Sequence, residues 1–99
     1  MTITEIKQEG MIQLDVEGRV DTNTSPQLQQ SILQAFQKGS HVVLNLEKVD
    51  YVSSSGLRAL LIGQKTANSK GGTMKLTHVC DGVMKVLNVT GFIKLLTIE

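Results

Sequence analysis

The feature that most restricts this fold is a hydrophobic period that switches between about two and about 3.6 residues again and again along the chain. In residues 11–18, Ile12, Leu14 and Val16 point one way while Gln13, Asp15 and Glu17 point the other, as in a half-buried strand. Beyond Gly18 the spacing changes: Leu28, Ile32, Ala35 and Phe36 recur at i, i+4, i+7 and i+8, the buried stripe of a helix. Residues 41–46 (HVVLNL) then form a nearly continuous apolar run rich in β-branched residues, as expected of a central parallel strand covered on both faces.

Local signals set the boundaries. Residues 2–9 precede the first clear strand, and Glu9-Gly10 makes a tight turn, so the first two strands read as a hairpin. The first helix spans about residues 25–38. Thr24 with Gln27 fits a capping box, Ser25 before Pro26 fits an alternative cap, and Gly39 is the stop. A second helix starts at Ser53-Ser54-Ser55, carries Leu57, Ala59, Leu60, Leu61 and Ile62, and ends near Lys70 before Gly71-Gly72. Residues 73–78 form a strand with Met74 and Leu76 on one face. A third helix follows, with Asp81 as cap and Val83, Val86 and Leu87 as its stripe; Gly91 ends it, and residues 94–98 make a last strand.

The order is β-β-α-β-α-β-α-β. Crossovers of this kind are right-handed and make the later strands parallel, so the class is α/β (α+β) with a mixed sheet of four to five strands and helices packed on it. No break in composition divides the 99 residues, which read as one domain, 1–99.

Several function classes fall away. Ten Lys and Arg against nine Asp and Glu leave a formal charge of +1 with neither sign in blocks, so nucleic acid is not an expected partner. No apolar stretch approaches the ~18 residues of a membrane span, and the opening MTITEIKQEG has no signal-peptide core. The single cysteine, Cys80, has no internal disulfide partner, which fits a reducing compartment; the expected location is cytoplasmic, without membrane insertion. His41, His78 and Cys80 fall short of a four-ligand zinc site, and no cofactor is expected. Cys80 reads as a small buried hydrophobe and His78 as an ordinary strand residue.

Catalytic templates fit poorly too. A nucleophile elbow requires G-x-S-x-G, which the run Val52-Ser53-Ser54-Ser55-Gly56 does not supply, and no acidic residue is spaced to orient either histidine. Gly71-Gly72-Thr73-Met74-Lys75 lacks the spacing of a phosphate loop and precedes a strand; it is a turn. No catalytic residue is assigned. What remains is Asp50-Tyr51-Val52-Ser53-Ser54-Ser55-Gly56-Leu57. A capping hydroxyl satisfies one or two backbone donors, so three serines in a row exceed what capping requires and leave at least one hydroxyl facing solvent.

The run VVLNLEKVDYVSSSGLRALL (42–61), with GRVDTNTSPQL (18–28) and VMKVLNVTGFIKLL (83–96), resembles the STAS domains, and within them the small single-domain anti-sigma factor antagonists. In that family the serine after an acidic residue, in a D-S-[ST]-G run, accepts phosphate from the partner anti-sigma factor, itself a serine kinase. By position the resemblance makes Ser54 the acceptor. The acidic position is Ser53 here, a departure that keeps Ser55 and Ser53 as alternatives. The resemblance further implies a type 2C serine phosphatase that resets the switch, a chain that is monomeric when free, and a partner face bordered by Asp21, Thr24, Ser53, Ser54 and Ser55. On that face Gly56 permits close approach of the partner's backbone or a tight first turn. One of Leu57 and Leu61 presents to the partner, and Arg58 meets a partner carboxylate or the phosphate, or stays solvated. Two other readings stand beside this one: a constitutive STAS interaction subunit of a transport or sensor assembly, its serines only caps, and a small serine hydrolase, which needs a base that spacing does not provide.

Overall fold

The computed structural model describes residues 1–99. Strands β1 (Thr2–Gln8) and β2 (Met11–Glu17) form the antiparallel hairpin read from the sequence, closed where Gly10 takes a φ of 73°. Helix α1 (Ser25–Lys38), β3 (His41–Lys48), α2 (Ser54–Ser69), β4 (Thr73–Thr77), α3 (Asp81–Thr90) and β5 (Thr97–Ile98) follow. The sheet order is β1-β2-β3-β4-β5, with β2 to β5 mutually parallel.

That order explains how the layers are arranged. Each crossover steps to the next strand in the same direction, and crossovers of one hand then place their helices on one face of the sheet. Ile12, Leu14 and Val16 of β2, Val42, Leu44 and Leu46 of β3, and Met74 and Leu76 of β4 are all buried on that face. They form one core with Leu28, Ile32, Ala35 and Phe36 of α1, Leu57, Leu60 and Ala67 of α2, and Val83 and Leu87 of α3.

β3 is therefore covered on one face, not on both as its apolar run suggests. Val43 and Asn45 lie half-buried beside Gln13, Asp15, Lys75 and Thr77 on the open face. The run looked continuous because Val43 interrupts an otherwise alternating strand with a β-branched residue. On the open face, Asp15 accepts from Gln13 Nε2 at 2.8 Å and Asn45 Nδ2 at 3.2 Å.

Three further expectations change. The strand read over 94–98 shortens to Thr97–Ile98, because Gly91 (φ 80°) ends α3 and a 3-10 turn at Phe92–Lys94 brings Leu95 N and Leu96 N onto Phe92 O. Cys80 takes the cap position of α3; Asp81 opens the first turn, where a negative charge suits the helix dipole. His78 lies beyond β4 as an exposed residue with a φ of 56°, a conformation that His adopts more readily than most side chains. The Cys80 thiol is half-buried and donates to Val49 O at 3.5 Å.

One-sided coverage sets a contrast within a single strand. Leu44→Ala is expected to cost about 2–5 kcal/mol, while Val43→Ala costs about 1 kcal/mol or less. Urea unfolding of the two variants measures this, and similar losses would mean that both faces are packed.

Candidate functional site

The loops after β2 and β3 are zipped together beyond the sheet. Gly18 N donates to Lys48 O at 3.1 Å, Val20 N to Tyr51 O at 3.0 Å, and Ser53 N to Val20 O at 2.8 Å. Val20 thus pairs in parallel with Val52, and both side chains are buried. This bridge brings Asp21 and Thr24 to the same end of the molecule as the three serines, at the carboxyl ends of β2 and β3, where open α/β sheets carry their sites.

Gly56 lets α2 approach the bridge. A Cβ there would lie 2.6 Å from Val20 Cγ1, 2.8 Å from Val52 Cγ1 and 3.1 Å from Val20 O. Of the alternatives left open for this face, the buried Gly56 fits the tight first turn, and of Leu57 and Leu61 it is Leu57 that turns inward, being only 4% exposed. The reason is helical phase: the face of α2 that meets the sheet begins with these residues. Leu61 is half-buried and Arg58 exposed.

The three serines have different surroundings. Ser53 is the N-cap of α2, with extended backbone and its Oγ accepting from Gly56 N at 3.2 Å. Ser55 is half-buried and lines a groove of about 550 Å³ between α1 and α2, together with Thr22, Ser25 and Arg58. Ser54 is exposed at the first helical position, and its hydroxyl makes no hydrogen bond within the protein.

The other side of the site is built on Asp21. Its Oδ1 accepts from Asn23 N at 2.9 Å and Thr24 N at 3.1 Å. Thr24 Oγ1 accepts from Asp21 N at 2.9 Å and donates to Arg19 O at 2.7 Å. Neither cap read from the sequence forms: Thr24 occupies the cap position of α1 with its hydroxyl turned back into the loop, and the Ser25 hydroxyl donates to Asp21 O. The Thr24 N–H holds the Asp21 carboxyl below its ordinary pKa against the opposing effect of desolvation, helped by the Asn23 N–H, the Thr24 hydroxyl and the charge of Arg19.

The Arg19 guanidinium lies 4.1 Å from the centre of the Tyr51 ring, and Tyr51 is 41% exposed. Sequence reasoning missed this pair and the Val20–Val52 bridge; both depend on a long-range pairing that leaves no periodic signal. No histidine bonds a serine. His41 Nδ1 pairs with Thr73 Oγ1 at 2.8 Å at the start of β3, whereas the serines follow that strand's other end. No group of three or more His, Cys, Asp or Glu is placed to hold a metal ion.

Together these features define a small α/β domain that displays a serine at a helix start on one end of a sheet with helices on one face. The sequence matches the STAS domain over residues 3–99, and the chain belongs to that family. It is 31% identical over 91 residues to the anti-sigma F factor antagonist of Paenibacillus polymyxa, covering 90% of this chain and 78% of that protein. The fold is similar to that of an anti-sigma factor antagonist from Mycobacterium paratuberculosis (TM-score 0.87, 21% identity, 99% of this chain and 84% of that one). It is also similar to the Bacillus cell fate determinant SpoIIAA in its phosphorylated form (TM-score 0.75, 16% identity, 99% and 91%).

Two expected outcomes follow from the bridge and the Asp21 loop. Gly56→Ala destabilises by about 1–3 kcal/mol, because the overpacking against Val20 and Val52 outweighs alanine's better helix propensity of about 1 kcal/mol; a gain in urea midpoint would contradict the close approach. Because the folded pKa of Asp21 is depressed, its contribution to stability is present above the ordinary carboxylate value of about 3.9 and is lost as pH falls through the lower folded value. Wild type should exceed Asp21→Asn in urea midpoint at pH 7, with the gap closing below about pH 4. A constant gap would show that ionisation is not what the loop uses.

Proposed function

We propose that this chain is a cytoplasmic, non-enzymatic anti-sigma factor antagonist whose attachment to an anti-sigma factor serine kinase is switched by phosphate on Ser54. The observation that carries this reading is the exposure of the Ser54 hydroxyl, free of any internal hydrogen bond, beside a Ser53 hydroxyl engaged in capping and a half-buried Ser55. Ser53 stands where the family pattern has an acidic residue, and its capping bond keeps the helix start intact. The antagonist named among the curated relatives, and a structural neighbour described in a phosphorylated form, support the same reading.

Transfer of the γ-phosphoryl group of ATP to Ser54 Oγ, with ADP as the other product and the hydroxyl proton released, adds about −1.5 to −2 charges. At the start of a helix, which carries roughly half a positive charge, an anion is worth about 0.3–1 kcal/mol, so the domain stays folded. Binding responds instead. A partner surface fitted to a neutral hydroxyl has to desolvate a dianion, and a loss of about 4 kcal/mol weakens the complex about a thousandfold. Unphosphorylated, the face formed by Ser54, Ser55, Arg58 and Leu61 with Asp21 and Thr24 holds the kinase and frees the sigma factor. Phosphorylated, it lets go until a type 2C serine phosphatase removes the group.

Incubation with an anti-sigma factor kinase and ATP, followed by mass spectrometry, is expected to place phosphate on Ser54 and none on Ser54→Ala. Ser54→Ala keeps kinase binding, whereas Ser54→Asp weakens it about a hundredfold or more. No incorporation at any of the three serines would favour a constitutive interaction subunit of a transport or sensor assembly, and equal affinity of the two variants would overturn the switch.

A further inference from the structure

We infer that Arg58 is a built-in counter-ion for phosphate on Ser54, free while the hydroxyl is unmodified and drawn onto the phosphate once it is attached. The inference rests on Ser54 as the modified residue. Ser54 and Arg58 are both exposed on α2 and four positions apart, so they are neighbours on one helix face, with Cβ atoms about 5–6 Å apart. Helical side chains lean toward the N-terminus, which lays the arginine over the turn that Ser54 opens.

Nothing else occupies that guanidinium. The ion pairs of the protein are Lys38–Glu5 and Lys75–Glu99, Arg58 makes no hydrogen bond, and the first turn of α2 has no acidic residue. Across the groove the facing wall of α1 is neutral, presenting Gln29, Gln30 and Gln34. The charged groups on the adjoining loops are Arg19, Asp21 and Asp50; Asp21 is held by the N–H groups of Asn23 and Thr24, and Arg19 lies on Tyr51.

In the second turn of α2 the guanidinium feels little of the helix dipole, whereas a phosphate four residues earlier attracts it directly. The guanidinium fork also matches two phosphate oxygens, which a lysine ammonium does not. Modification would then alter the face twice, adding a dianion and withdrawing a free arginine.

Installing phosphoserine at position 54 during synthesis of the full chain makes the test independent of any kinase. Phosphorus NMR titration is expected to give a second phosphate pKa about 0.3 units lower in the wild-type background than in Arg58→Gln. Arg58→Lys retains part of the difference, and 1 M NaCl removes most of it. Circular dichroism melting establishes that each protein is folded, and Arg58→Lys supplies the comparison should Arg58→Gln fail to fold. Matching titrations in all backgrounds, or a difference that survives high salt undiminished, would overturn the inference. A kinase that leaves Ser54 untouched would instead sink the proposed function and leave this electrostatic result standing.

Discussion

Three backbone hydrogen bonds between two loops, Gly18 N to Lys48 O, Val20 N to Tyr51 O and Ser53 N to Val20 O, fix where everything at the serine-bearing end of this protein lies. They extend the pairing of β2 and β3 past the irregularity between Asp15 and Glu17 and bury Val20 against Val52. With no Cβ on Gly56, α2 starts directly against this pair. Because Ser53 donates its N–H to the bridge and accepts at its Oγ from Gly56 N, the residue after it is placed by the backbone rather than by its own side chain. Ser54 can therefore present its hydroxyl outward without contributing to the fold.

This separation of structure from surface fits a switch that works by charge. The core lies on one face of the sheet, beneath three helices, and Ser54 lies outside it. On the proposed reading, a dianion appears where the helix dipole tolerates it and where no core contact is disturbed, so the change is felt by a docking partner rather than by the packing. Asp21 supports the same end from the opposite loop, where the N–H groups of Asn23 and Thr24 fix its carboxylate.

Much of this was legible in the sequence. The stripe Leu28, Ile32, Ala35 and Phe36 with Gly39 behind it marked α1 correctly, and Gly10, Gly71 and Gly72 marked turns because local conformation and periodicity are encoded within a few residues. The family resemblance located the serine loop. What local pattern could not carry was tertiary. The single-face cover of β3 follows from the order of all five strands, and the inward turn of Gly56 and Leu57 follows from Val20 and Val52 meeting across the loops. The capping residues of α1 likewise read well in isolation, yet the Thr24 hydroxyl turns to Asp21 N and Arg19 O because a folded loop offers partners that a sequence window does not contain.

The most direct measurement is native-state amide exchange of Val20 and Ser53, the two N–H groups that join the loops at the serines, before and after phosphate is attached to Ser54. A rigid bridge predicts that both amides exchange as slowly as those of β2 and β3, and equally slowly in the two charge states. Exchange at the rate of open loops, or protection that disappears on phosphorylation, would contradict a switch that acts through charge on a fixed backbone.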